Sequence, residues 1–159
     1  MLYLIDGYNL LATVRKADEI HAAMDEAGLC SKLSEFLHRM RQEGRIYFDG
    51  TGPRDKAGLS GLSNLEVVFT GPGIEADHRI AEEIELSTAP KYLVVVSTDR
   101  QVRAAAEKRK AGVIRSEDFW PVLVKTLEKK RRGIREPKAK REGLTESETE
   151  EWMKLFGLK

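Results

Sequence analysis

The chain has 159 residues, a size that fits one domain with a core large enough to need neither disulfides nor a structural metal. Its 27 Lys+Arg against 26 Asp+Glu give a formal net charge of +1, which conceals a segregation of the two signs along the chain. Cys30 is the one cysteine, which excludes an internal disulfide framework or cysteine-rich zinc site and points to a reducing compartment. The apolar stretch from Met1 to Ile5 is cut by Asp6 and is too short for a signal peptide or membrane span, so a soluble, cytoplasmic protein is expected.

Leu2-Tyr3-Leu4-Ile5 reads as a buried parallel strand that ends at Asp6-Gly7. From about Ala17 to Gln42 helical spacing links Leu29, Leu33, Phe36, Leu37 and Met40, with Gly28 expected as a break between a weak first segment and a firmer second one. Arg45-Ile46-Tyr47-Phe48 gives a second strand ending at Asp49-Gly50, and residues Thr51 to Ser63, without periodicity, predict a mobile loop beside it. Leu65 to Phe69 is a third strand, followed after Gly71-Pro72-Gly73 by a helix from about Ile74 to Leu86 with Asp77 in its first turns. Tyr92 to Val96 is continuously apolar, as in a strand covered on both faces, and closes at Ser97-Thr98-Asp99. A helix over Arg100 to Lys110, a short strand at Gly112-Val113-Ile114, and a helix from an N-cap at Ser116 to Leu127 complete the alternation, which predicts a parallel α/β sheet with helices on both faces.

One α/β domain is expected over residues 1–130, a basic linker over 131–143 and an appended C-terminal helix over 144–159. The basic run comprises Lys125, Lys129, Lys130, Arg131, Arg132, Arg135, Lys138, Lys140 and Arg141, a charge density suited to neutralising phosphates, though a solvated helix end would look the same. Thr145 and Glu148 form a capping box for the last helix, whose Trp152, Leu155 and Phe156 suit an intramolecular latch as well as a dimer clasp.

Asp6, Asp49, Asp77 and Asp99 each fall where a strand ends or its following helix begins. In an open parallel sheet such positions converge on the crevice beyond the strand carboxyl ends. Each has a structural alternative, turn formation for Asp6 and Asp49 and helix N-terminal roles for Asp77 and Asp99. Together they suggest a pocket of oxygen ligands whose mutual repulsion a hard divalent cation, Mg²⁺ or Mn²⁺, would neutralise. Such a pocket suits hydrolysis of a phosphodiester by a metal-activated water.

The segments Asp6-Gly7-Tyr8-Asn9, Phe48-Asp49, Val67-Val68-Phe69-Thr70 leading to Ala76-Asp77, and Ser97-Thr98-Asp99-Arg100 resemble the YacP-like branch of the NYN domains, relatives of the PIN-domain ribonucleases, from about residue 2 to Leu127. The resemblance implies a PIN-like three-layer α/β/α sandwich with parallel strand order 3-2-1-4-5 and a metal-dependent endoribonuclease site holding one or two Mg²⁺ or Mn²⁺ ions. Asp6, Asp77 and Asp99 match the family's acidic positions, and Asn9 and Asp49 match motif positions beside them. Where many PIN-type sites carry a further acid near the last strand, this chain has Glu117 and Asp118, with Asp118 a candidate ligand or a helix N-terminal residue. Asp6 and Asp99 are expected to hold the principal ion.

Asn9 is a candidate for orienting a ligand carboxylate or a phosphate oxygen, with Ser97 and Thr98 as hydroxyl donors. Arg100, Arg103 and the run containing Lys129, Lys130, Arg131 and Arg132 are expected on RNA phosphates, and Tyr8 either stacks on a base or packs under the neighbouring helix. RNA, free or presented by a ribosome or other ribonucleoprotein, is the expected partner. A second hypothesis is an RNA-binding adaptor without catalysis. A small-molecule phosphohydrolase with Asp6 as nucleophile is disfavoured, because Tyr8 stands where such enzymes place an acid/base aspartate.

Overall fold

A computed structural model describes residues 1–133, with side chains through Lys129. Five parallel strands, β1 (Leu2–Asp6), β2 (Glu43–Phe48), β3 (Leu65–Phe69), β4 (Leu93–Val96) and β5 (Gly112–Ile114), form one sheet in the order β3-β2-β1-β4-β5. The helices are α1 (Gly7–Ala17), α2 (Glu26–Met40), α3 (Ala76–Leu86), α4 (Arg100–Lys108) and α5 (Ser116–Gly133).

Alternation along the central strands sets the three layers. Tyr3, Ile5, Ile46, Phe48, Val94 and Val96 pack with Leu10, Leu11 and Val14 of α1, Leu33 and Phe36 of α2, and Phe119 and Leu123 of α5. The intervening Leu4, Tyr47 and Val95 face Ile80 and Ile84 of α3 and Val102 and Ala106 of α4 on the opposite side. Burial on both faces explains why these strands read as continuous apolar runs.

The first helix departs from expectation. The chain enters α1 directly from β1, residues 18–25 are non-helical, and α2 begins at Glu26 with Gly28 in its first turn, where the side chain of Asp25 accepts from the Gly28 N–H at 2.8 Å. Gly28 is therefore part of an N-cap rather than a break. Gly7 likewise serves no turn. A Cβ there would meet the Phe48 ring at 2.4 Å and the Tyr47 carbonyl at 2.8 Å, so the glycine lets α1 press against β2.

The segment 51–63 has neither helix nor strand, yet it is pinned at several points. Leu59 is buried in the core, Lys56 Nζ lies 4.6 Å from the centre of the Phe69 ring, and Ser34 Oγ donates to the Ser63 carbonyl at 2.6 Å. α5 runs past Leu127 to Gly133, carrying the start of the basic run on a helix. The expected linker beyond Gly133 and the C-terminal helix over 144–159 lie outside the described residues.

Candidate active site

The strand order reverses between β1 and β4, and the residues that leave these two strands form the crevice of an open α/β sheet. Asp6 closes β1. Ser97, fully buried, follows β4, and its hydroxyl donates to Asp6 Oδ2 at 3.3 Å while accepting the Asp99 N–H at 3.0 Å. Burial, then the charge of Asp49 and, more weakly, that of Asp77, raise the Asp6 carboxyl to about 6, opposed by hydrogen bonds from Ser97 and from the Asn9 backbone. The charges of Asp49 and Asp77 thus both reach Asp6.

The other aspartates are also tied to the backbone. Asp49 Oδ1 accepts from the Ala76 N–H, fastening the start of α3 to the end of β2. Asp77 Oδ1 accepts from the His78 N–H at 2.8 Å. Asp99 is the N-cap of α4, with Oδ1 accepting from Gln101 N–H at 2.8 Å and Val102 N–H at 3.1 Å. Each uses one oxygen on a helix N-terminus or turn and has a second oxygen besides.

Asn9 Oδ1 accepts from the Thr98 N–H at 3.0 Å and from Ser116 Oγ at 2.6 Å, joining α1, the β4–α4 turn and α5. Thr98 Oγ1 in turn donates to Glu117 Oε2 at 3.0 Å. Tyr8 packs on Phe48 with ring centres 4.9 Å apart and donates its hydroxyl to Glu26 Oε2 at 3.0 Å, so it stands as a wall between α1 and α2. Arg100 is exposed at the start of α4, whereas Arg103 is half-buried with a buried Nε that has no partner among the described residues. Arg103, Arg115, Glu117 and Asp118 line a groove of about 620 Å³ between α4 and α5. Lys129 is exposed on α5; the side chains of Lys130, Arg131 and Arg132 lie outside the described residues.

Ser116 is the residue that sequence reasoning misplaced. It is the first helical residue rather than the N-cap, and its side chain turns to Asn9 while Arg115 O accepts from the Asp118 and Phe119 N–H groups. Its place at a strand-to-helix junction was visible, but its partner lies 107 residues away in sequence.

The sequence matches the YacP-like NYN domain over residues 3–156. The chain belongs to the YacP-like NYN domain family. The crystal structure of Rae1 (YacP) from Bacillus subtilis superposes with a TM-score of 0.68 at 20% identity, covering 98% of this chain and 92% of that one. A point mutant of the same protein gives a TM-score of 0.64 at 21% identity, covering 98% and 91%. These likenesses show the fold. No match was found among curated proteins. The YacP-like NYN domain is a PIN-like nuclease type, and membership supports an RNase-type function.

The donor set of this YacP-like NYN domain suits a hard divalent cation: the groups acting on one another are all carboxylates, and burial with like charge leaves Asp6 poorly neutralised. Among the described residues no group of three or more His, Cys, Asp or Glu side chains is close enough together to hold a metal ion. Mg²⁺ commonly uses one or two carboxylates and completes its shell with water and substrate phosphate, so an open arrangement fits it. No helix among the described residues is long and apolar enough to cross a membrane.

Proposed function

We propose that this chain is a metal-dependent endoribonuclease that hydrolyses RNA phosphodiester bonds with water as nucleophile. The observation that carries this reading is the place of Asp6 at the switch point of the sheet, bonded to Ser97 and within reach of the charges of Asp49 and Asp77. Asp6 is the central metal ligand, with Asp77 and Asp49 completing the negative pocket and Asp99 contributing the oxygen its helix does not use. An Mg²⁺ or Mn²⁺ ion bound there would supply Lewis-acid polarisation of the scissile phosphate and lower the pKa of the attacking water. Asp118, exposed in the α4–α5 groove, is given no ligand role.

Asn9 orients the phosphate, and Ser97 holds Asp6 and the Asp99 backbone in register. Arg100 and Arg103 take phosphates next to the cut. Lys129 lies 13 residues along α5 from Ser116, about 20 Å at 1.5 Å per residue, so the basic run meets RNA well away from it. RNA rather than DNA as substrate, a cytoplasmic location and presentation of the RNA by a ribonucleoprotein such as the ribosome belong to the same proposal.

That no three potential metal ligands are gathered closely enough to hold an ion among the described residues favours one alternative, an RNA-binding adaptor. Cleavage of end-labelled RNAs with Mn²⁺, with chelator, and by an Asp6→Asn variant separates the two. Metal-dependent cutting lost in the variant supports the nuclease, whereas salt-sensitive binding without cutting supports the adaptor.

A further inference from the structure

Resting on the nuclease reading, we infer that Ser116 is a positioning residue whose hydroxyl fixes the Asn9 carboxamide so that Nδ2 is the end offered to the substrate phosphate. The two ends of a carboxamide have nearly the same shape, and their assignment follows from what each must face. The Thr98 backbone N–H can only donate, so the Asn9 atom 3.0 Å from it is the oxygen. The Ser116 hydroxyl, 2.6 Å from that same oxygen, must donate as well. Two donors converge on Oδ1 and occupy it, and no described residue partners Nδ2, whose N–H groups remain for a ligand.

Place matters as much as polarity. The Asn9 backbone N–H bonds the Asp6 carboxylate, so this unpartnered donor belongs to a residue fastened to the centre of the acidic pocket. A carbonyl oxygen turned toward a phosphate would repel its oxygens, and an N–H pair attracts them, increasingly as charge builds on the non-bridging oxygens. Ser116 is fully buried, and its hydroxyl does not do what serine at a helix start ordinarily does. It reaches instead past the end of β4 to Asn9, limiting rotation about the bond that carries the amide.

The test uses the full chain and four proteins: wild type, Ser116→Ala, Asn9→Ala and the double variant. Single-turnover cleavage of a single-stranded RNA in Mn²⁺, over a range of enzyme concentrations, keeps small residual rates measurable. Alanine suits a first helical turn, so Ser116→Ala is expected to fold. Losing one neutral hydrogen bond should lower the cleavage rate constant roughly three- to tenfold, with the half-saturating concentration unchanged. In the Asn9→Ala background the same change should cost nothing further. The Asn9 side-chain amide resonances should broaden in Ser116→Ala. Equal losses in both backgrounds, or unchanged Asn9 amide resonances, would overturn the inference. Should wild-type protein cut no RNA, the nuclease reading fails, and the amide resonances still decide whether Ser116 holds Asn9.

Discussion

Asp6 and Ser97 meet across the two central strands, the serine hydroxyl donating to the carboxylate at 3.3 Å from a fully buried position. The same oxygen accepts the Asp99 N–H at 3.0 Å, so one hydroxyl couples the residue that ends β1 to the residue that opens α4.

Ser97→Ala should have two separable effects. The Asp99 N–H loses its acceptor, which should destabilise the fold by about 1–3 kcal/mol in chemical denaturation. The Asp6 carboxyl, which the serine holds down, should titrate at still higher pH in a carboxyl-resolved NMR titration without divalent ions. An unchanged Asp6 midpoint would remove Ser97 from the account of the pocket.

The Asp6 carboxyl at about 6 lies above its usual 3.8, so the folded state binds this proton more tightly than the unfolded chain. Its contribution to stability is fully present below pH 3.8 and is lost as pH rises through about 6. Above that range the ionised group costs the metal-free fold about 3 kcal/mol. Asp6→Asn should therefore raise the melting temperature at pH 7.5 and change it little at pH 4, while abolishing cleavage. Millimolar Mn²⁺ should raise the wild-type melting temperature at pH 7.5 and leave that of Asp6→Asn unmoved; the opposite ranking would argue that Asp6 is no ligand.

Asp99 can be divided into its two jobs. Asn caps helices as well as Asp does, so Asp99→Asn should retain stability within about 0.5 kcal/mol, whereas Asp99→Ala should lose about 1 kcal/mol. If the oxygen not used for capping serves the reaction, both variants lose cleavage together. Full activity in Asp99→Asn would leave this residue a cap alone.

Gly7→Ala places a methyl against the Phe48 ring and the Tyr47 carbonyl, the latter part of a strand that cannot step aside. Overpacking of this kind costs about 1–3 kcal/mol. The displaced first turn of α1 carries Asn9, so cleavage should fall further than the fraction folded, as measured by comparing activity with circular dichroism at the same temperature.

Much of the fold was legible in the sequence because the strands are buried on both faces and announce themselves as apolar runs. All five strands and the helices α3, α4 and α5 stand near their expected places, and the sheet order that the family resemblance implied is present. α1 was missed because Asp6-Gly7 reads locally as a turn, while the need for glycine arises from Phe48, 41 positions away by residue number. That the charges of Asp49 and Asp77 reach Asp6 was foreseeable from strand ends and the helix start that follows. The partners of Asn9 were not, since hydrogen bonds to Thr98 and Ser116 leave no periodic trace.

The clasp of Asn9 with Thr98 and Ser116 also ties together distant parts of the chain. Its members are separated by 89 and 107 residues, so each closure carries the entropy of a long loop. During synthesis a chain halted before β5 already has Asp6, Asp49, Asp77 and Asp99 but lacks the turn of α5 that anchors Asn9. A nascent fragment that ends before β5 thus carries all four aspartates but not the contact that holds the Asn9 carboxamide.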